Sequence, residues 1–199
     1  MKIIVIGAAG TIGQALVKEL ASRHEIISAG RNSGDIQVDL TDAASIEKMY
    51  QQVGPVDAVI SAAGNVHFGA LNEMTAAEYA IGINDKLMGQ VQLVLIGQKY
   101  LNDGGSFTLI SGALTNDPIV YGSSVSMVNG GLEAFARAAA IELARGLRIN
   151  VVSPTLLTES QESYGAYFRG FETVPAAKVA RAFSKSVEGA QTGQIYQVL

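Results

Sequence analysis

Short runs of β-branched residues alternate along this chain with longer stretches whose apolar residues recur every three or four positions. That alternation is the signature of repeated strand–helix–strand units and a mostly parallel sheet. The pattern predicts strands over Lys2 to Ile6, Glu25 to Ala29, Ile36 to Val38, Val56 to Ser61, Ser106 to Ser111, Leu147 to Val152 and Gln194 to Val198. Several are apolar at nearly every position, so helices should cover both faces. The helical stretches run from Thr11 to Ser22, Ala43 to Val53, Ala76 to Ala80, Asp85 to Leu101, Ser123 to Arg145, Glu159 to Phe168 and Ala176 to Glu188. Thr41 or Asp42 can cap the second, and Pro175 precedes the last, where a missing N–H is tolerated. Right-handed crossovers then give a doubly wound, Rossmann-type α/β sheet of about seven strands in the order 3-2-1-4-5-6-7.

Residues 1–199 read as a single domain, with no repeat, linker or low-complexity tract. The composition is 48% hydrophobic, enough for one substantial core. The 14 basic and 18 acidic residues leave a net charge of −4, which gives no general attraction for a phosphate polymer, so nucleic acid is not an expected partner. The chain has no cysteine, and its two histidines, His24 and His67, are isolated, so no metal site is expected. The apolar start is too short for a signal peptide, and the greasiest segment, Val91 to Gly97, is shorter than a membrane span. The expectation is a cytoplasmic protein that does not engage a membrane.

The main chemical signal is Gly7-Ala8-Ala9-Gly10-Thr11-Ile12-Gly13, placed between the first strand and the first helix. Gly7 permits a sharp turn, Gly10 leaves room for a pyrophosphate, and Gly13 lets helix and strand approach. Free N–H groups at the helix start suit an anion, and Ala9, Gly10, Thr11 and Ile12 are the expected contact residues there. After the second strand come Arg31, Asn32 and Ser33, where an acidic residue would instead hold a ribose 2′-hydroxyl. Arg31 with Ser33 suits a 2′-phosphate, so the expected cofactor is NADP rather than NAD. The plainer reading is a solvated surface arginine. Asp39 and Leu40 can edge the adenine, and the small residues Ala62, Ala63 and Gly64 can either admit a ribose or simply pack.

These residues resemble the short-chain dehydrogenase family over nearly the whole chain. The likeness is carried by the glycine-rich turn, Asp39-Leu40, Ala62-Ala63-Gly64, Gly104-Gly105-Ser106 before Leu109-Ile110-Ser111, Leu132 through Leu143, Arg148 through Pro154, and Thr192-Gly193-Gln194. Within the turn, Gly10 stands one place before the family's usual middle glycine and Thr11 takes that place. The family works with a serine, a tyrosine and a lysine four residues later on one helix face, and an asparagine on the preceding helix. The lysine lowers the tyrosine's pKa, and the tyrosine exchanges a proton with the substrate oxygen. Here the register places Val125 at the tyrosine position, Asn129 at the lysine position, Gly112 at the serine position beside Ser111, and Lys86 at the asparagine position. Thr155 follows Pro154 where the family has glycine, and Leu199 closes the chain without the family's usual extension.

The resemblance therefore implies an NADP-dependent oxidoreductase on an unidentified small substrate with a non-standard proton donor. Candidate donors or hydrogen-bonding groups are Tyr121, Lys86, and Ser111 or Ser126. Each also has a structural reading, as a helix-start residue, a solvated lysine or a strand end. The alternative is a nucleotide-binding sensor or scaffold without turnover, and a third reading takes the proton from water or the substrate itself. Apolar residues on the two long central helices, together with the family's habit, imply a homodimer or homotetramer.

Overall fold

A computed structural model describes residues 1–199. Its seven parallel strands are β1 (Lys2–Ile6), β2 (Glu25–Gly30), β3 (Ile36–Gln37), β4 (Val56–Ser61), β5 (Leu101–Ile110), β6 (Arg148–Pro154) and β7 (Ile195–Val198). They form one sheet in the order β3-β2-β1-β4-β5-β6-β7, the Rossmann-type arrangement expected from the alternating pattern. The helices are α1 (Thr11–Leu20), α2 (Ala43–Val53), α3 (Ala76–Gly82), α4 (Met88–Gly97), α5 (Ser123–Glu142), α6 (Gln161–Tyr164) and α7 (Ala176–Glu188).

Strand residues alternate between two cores, one on each face of the sheet. Ile4 and Ile6 of β1 join Met49 and Tyr50 of α2, Leu93 of α4 and Leu132 of α5. Ile3 and Val5, one residue out of phase, join Leu16 and Leu20 of α1 and Val179 and Phe183 of α7. Both faces are thus covered, which is why β1 reads as an unbroken apolar run. Asp42 is the cap of α2, accepting from Ala44 N at 2.9 Å. No helix is long and apolar enough to cross a membrane.

Most boundaries fall within two residues of those expected, and four elements depart further. Strand β5 begins at Leu101, five residues early, because Leu101 pairs with Val56 while the Asn102–Gly105 segment bulges out before Ser106 pairs with Ala58. The stretches expected as separate helices over Ala76 to Ala80 and Asp85 to Leu101 form one continuous helical run, opened by a reciprocal Thr75–Glu78 cap and joined through a wider π-turn at Ile83–Leu87. It stops at Gly97 because Leu101 is already in the sheet. The expected helix from Glu159 to Phe168 is only the single turn α6, preceded by a tight turn at Thr158–Ser160. Past Gly165 the chain continues in three-residue turns, Tyr167 N to Tyr164 O and Phe168 N to Gly165 O. Finally, α5 ends before Arg145, which adopts a positive φ of 57°.

Helices α1 and α7 are tied at their ends by Arg23, which donates to Glu188 at 2.9 Å, and by His24 at 2.8 Å from the same carboxylate. The Arg23 guanidinium, then the Ser184 hydroxyl and His24, hold the Glu188 carboxyl down to about 2. Its folded pKa lies below the ordinary unfolded value of about 4.3, so its stabilising contribution is present above that value and lost as pH falls toward 2. Glu188→Gln should therefore lower the thermal midpoint at pH 6 and flatten its decline between pH 5 and pH 3, as read by circular dichroism.

Candidate active site

The turn after β1 is built by close approach. Gly7 has φ +81°, and a Cβ there would lie 2.8 Å from the Ala62 carbonyl oxygen. At Gly13 a Cβ would overlap the Gly7 carbonyl oxygen and lie 2.6 Å from Ala8 Cα. Gly10 is different: a Cβ there would meet protein no nearer than 3.4 Å, so packing alone does not demand glycine. What its missing side chain leaves open is the outer surface of the turn, where Ala9, Gly10 and Thr11 are exposed. No side chain caps α1, so the N–H groups of its first turn face outward unclaimed by a cap. Free helix-start amides beside an open glycine make a cradle of the kind a diphosphate fits.

Beside this cradle lies a cavity of about 210 Å³ lined by Gly7, Arg31, Leu40, Ala63, Gly64 and Asp85, among others. Arg31 crosses it, ion-paired to Asp39 at 3.1 Å and to Asp85 at 3.4 Å. Asp39 also accepts from Thr41 N and Oγ1, bonds that hold its carboxyl below the usual range, with Arg31 adding to the effect. Asn32 and Ser33 are exposed next to Arg31 but outside the cavity wall. Ala62 underlies Gly7 rather than lining the cavity.

A second cavity of about 400 Å³ shares Gly64 with the first and runs past the ends of β5 and β6. Its wall includes Lys86, Ser111, Gly112, Val125, Asn129 and Pro154. The two together form one cleft beyond the carboxyl ends of the strands, where ligands bind in doubly wound sheets.

Lys86 owes its place to three local features. The π-turn at Ile83–Leu87 inserts an extra residue into the helical run, a distortion often found at functional sites. Buried Gln90 donates to the Lys86 carbonyl at 3.1 Å and the Ile110 carbonyl at 3.0 Å, while its Oε1 accepts from Ile110 N, so the turn is pinned to the end of β5. The lysine stem lies against Gly64, whose Cβ would sit 2.6 Å from Lys86 Cγ. The ammonium donates to the Ser111 carbonyl at 3.0 Å and has no carboxylate in salt-bridge range. Desolvation therefore pushes its pKa down to about 8.

Its neighbours are less free. Ser111 donates its hydroxyl proton to buried Glu133 at 2.9 Å, away from a substrate role as donor. Ser126 donates to the Leu114 carbonyl at 2.6 Å. Asn129 donates weakly to the Gly112 carbonyl at 3.4 Å, and its buried Oδ1 has no partner. Val125 is buried beside it. The structure separates Tyr121 from Lys86 and Ser111: its ring, on a backbone with φ 68°, lines a neighbouring aromatic cavity. Asp85, Gln90, Asn65 and Glu133 were not singled out in the sequence. Asn65 gives its backbone N–H and Nδ2 to Asp85 at 3.0 and 2.7 Å. Only Asp85 carried a hint, as the charge adjoining Lys86.

The sequence profile of the family described as Enoyl-(Acyl carrier protein) reductase matches residues 4–192. The protein lin1944 from Listeria innocua is 55% identical, with a TM-score of 0.99 over 100% of both chains. A small-chain dehydrogenase solved in complex with NADPH is 25% identical, with a TM-score of 0.89 over 100% of this chain and 96% of that one. An uncharacterized oxidoreductase of Methylorubrum extorquens is 28% identical over 81% of this chain and 75% of its own length. The tetrahydroxynaphthalene reductase of Pyricularia oryzae is 26% identical over 76% of this chain and 62% of its own.

The packing of Gly64 on Lys86 gives a direct test. Gly64 has φ +139°, so Gly64→Ala strains the backbone and drives a Cβ into the lysine stem. The variant should lose about 1–3 kcal/mol of stability in urea unfolding.

Proposed function

This chain belongs to the short-chain dehydrogenase/reductase family, and within it we propose an NADP(H)-dependent oxidoreductase that reduces a small carbonyl compound with Lys86 as proton donor. The observation that carries this reading is the Lys86 ammonium, held in the cleft by one carbonyl and no carboxylate, with two N–H bonds left for a ligand. The amides after Gly10 would hold the diphosphate, Leu40 and Ala63 the adenosine, and Arg31 a 2′-phosphate. Arg31 suits that role because its guanidinium is half-exposed and meets half-exposed Asp39 and buried Asp85 through Nη2 alone, which leaves Nε and Nη1 to donate to a phosphate. The likeness to the small-chain dehydrogenase that binds NADPH agrees with this choice. When bound, NADPH supplies a hydride to the carbonyl carbon.

The protein's own task is then to place the carbonyl oxygen and deliver a proton to it. Two groups that the family resemblance puts on facing helices are exchanged here: the cation sits at residue 86 and the amide at residue 129. Lys86, with a pKa lowered to about 8, is protonated at neutral pH yet close enough to neutrality to give its proton up. The unpartnered Oδ1 of Asn129 is an acceptor for a substrate or ribose hydroxyl. Ser111 acts through its backbone by steadying the ammonium, and Tyr121 borders the substrate end rather than the reacting oxygen. The polar groups gathered in the second cavity favour turnover over a sensor that only binds nucleotide. Exposed Leu95 of α4 and Ile141 of α5 support pairing of two copies across these helices, in a homodimer or homotetramer.

Lys86→Met should cut carbonyl reduction by about 10²- to 10⁴-fold, with a much smaller change in NADPH affinity. In the unaltered protein the reduction rate should fall as pH rises through about 8, where the ammonium loses its proton, and Lys86→Met should lack that limb. A retained rate in Lys86→Met would contradict the assignment. Arg31→Asp should weaken NADPH at least about tenfold more than NADH in fluorescence titration, the worth of one charge-assisted phosphate contact.

A further inference from the structure

We propose that the substrate carries an aromatic ring, and that this ring is bound in the pocket formed by Phe68, Ile119, Tyr121, Tyr164, Tyr167 and Phe168. This rests on the oxidoreductase reading and specifies its substrate class. The six residues enclose about 230 Å³, and none is charged. Five of the chain's thirteen aromatic side chains, seven Tyr and six Phe, gather here. They are not core filling: Phe68 is 40% exposed, Tyr121 46%, Tyr164 49% and Tyr167 56%. Exposed rings around a concavity mark a ligand site rather than a packed interior.

Phe68, Tyr164 and Phe168 also line the cavity that holds Lys86, so the aromatic pocket opens directly onto the proposed proton donor. Size sets the scale. A cavity of about 150 Å³ holds benzene, so this one has room for a substituted ring, with the adjoining cavity left for the rest of the substrate. Charge sets the type. Aromatic cages also take organic cations, but the Lys86 ammonium in the adjoining cavity would repel one. An uncharged aryl ketone or aldehyde satisfies both, with its ring among the tyrosines and its oxygen at Lys86 Nζ.

The arrangement of the pocket is specific to rings. Tyr121 is held with φ 68°, a left-handed conformation that a tyrosine rarely adopts, and its backbone carbonyl accepts from Gly69 N at 3.1 Å. That turn sets its ring edge-on to Tyr167, with centroids 6.4 Å apart. Phe168 is in turn braced edge-on by Phe171 at 5.3 Å. The run of short turns after Gly165, which replaces the expected helix, is what brings Tyr164, Tyr167 and Phe168 to one wall.

The test is binding to NADP-loaded protein by ligand-observed NMR, with methyl ketones of equal carbon number bearing a phenyl, a cyclohexyl or a straight alkyl group. The phenyl ketone should bind about threefold tighter than the cyclohexyl one and about tenfold tighter than the straight chain, as ring–ring contacts predict. Tyr167→Ala and, independently, Phe68→Leu should erase the phenyl preference, and Tyr167→Phe should keep it. Equal affinities for phenyl and cyclohexyl ketones, or a preference unmoved by both ring-removing variants, would overturn the proposal. NADPH uptake is recorded in parallel. If NADPH binds and carbonyls are reduced without an aryl preference, only the substrate class falls; if no NADPH is taken up, the oxidoreductase reading falls and takes this inference with it.

Discussion

The structure turns on the contact between the start of α1 and the turn that leaves β1. With Gly13 pressed on the Gly7 carbonyl, no side chain of any size fits between helix and strand. That closeness aims the first-turn amides of α1 over the end of the sheet, and it fixes where α1 can bury Leu16 and Leu20 against Ile3 and Val5. Gly7 also lies close against the Ala62 carbonyl, so the turns after β1 and β4 pack on each other. The core on that face and the anion cradle are consequences of a single steric fit.

From that anchor the cleft extends in one direction along the strand ends. Gly64 is the hinge between its two halves, bordering the adenosine-sized cavity on one side and carrying the Lys86 stem on the other. Buried Gln90 bonds to both the lysine backbone and the end of β5, so the helix bearing the cation is pinned to the strand that leads into Ser111. The Lys86 ammonium is half-buried at the wall of the cleft, with the Ser111 carbonyl as its protein acceptor. Beside it the buried Asn129 Oδ1 has no protein partner.

Much of this was legible in the residues. The strand order followed from the alternation of short apolar runs and helical stretches, and the glycine turn from its position between Ile6 and Thr11. The family register placed Lys86 at the asparagine position, and it lines the cleft. What escaped depended on tertiary pairing. Glu133 lies in a helix of mixed polarity and reads as a surface charge until Ser111 is seen donating to it. The two carboxylates on Arg31 come from segments 46 residues apart (85 − 39), which no local pattern connects. The segment from Glu159 to Phe168 carries helix-forming residues at its start, yet Gly165 and the aromatic contacts beyond it favour successive tight turns. The π-turn is likewise invisible to periodicity, and the Gln90 bridge that spans it depends on the tertiary contact with β5.

On the proposed reading, the first-turn amides of α1 and the adjoining cleft hold a nicotinamide dinucleotide phosphate. The most direct measurement is a two-dimensional amide NMR titration of isotope-labelled protein with NADPH. Saturable shifts should concentrate at Gly10, Thr11, Ile12, Gly13, Arg31 and Ala63. No saturable shift, or shifts confined to residues remote from the strand ends, would contradict it.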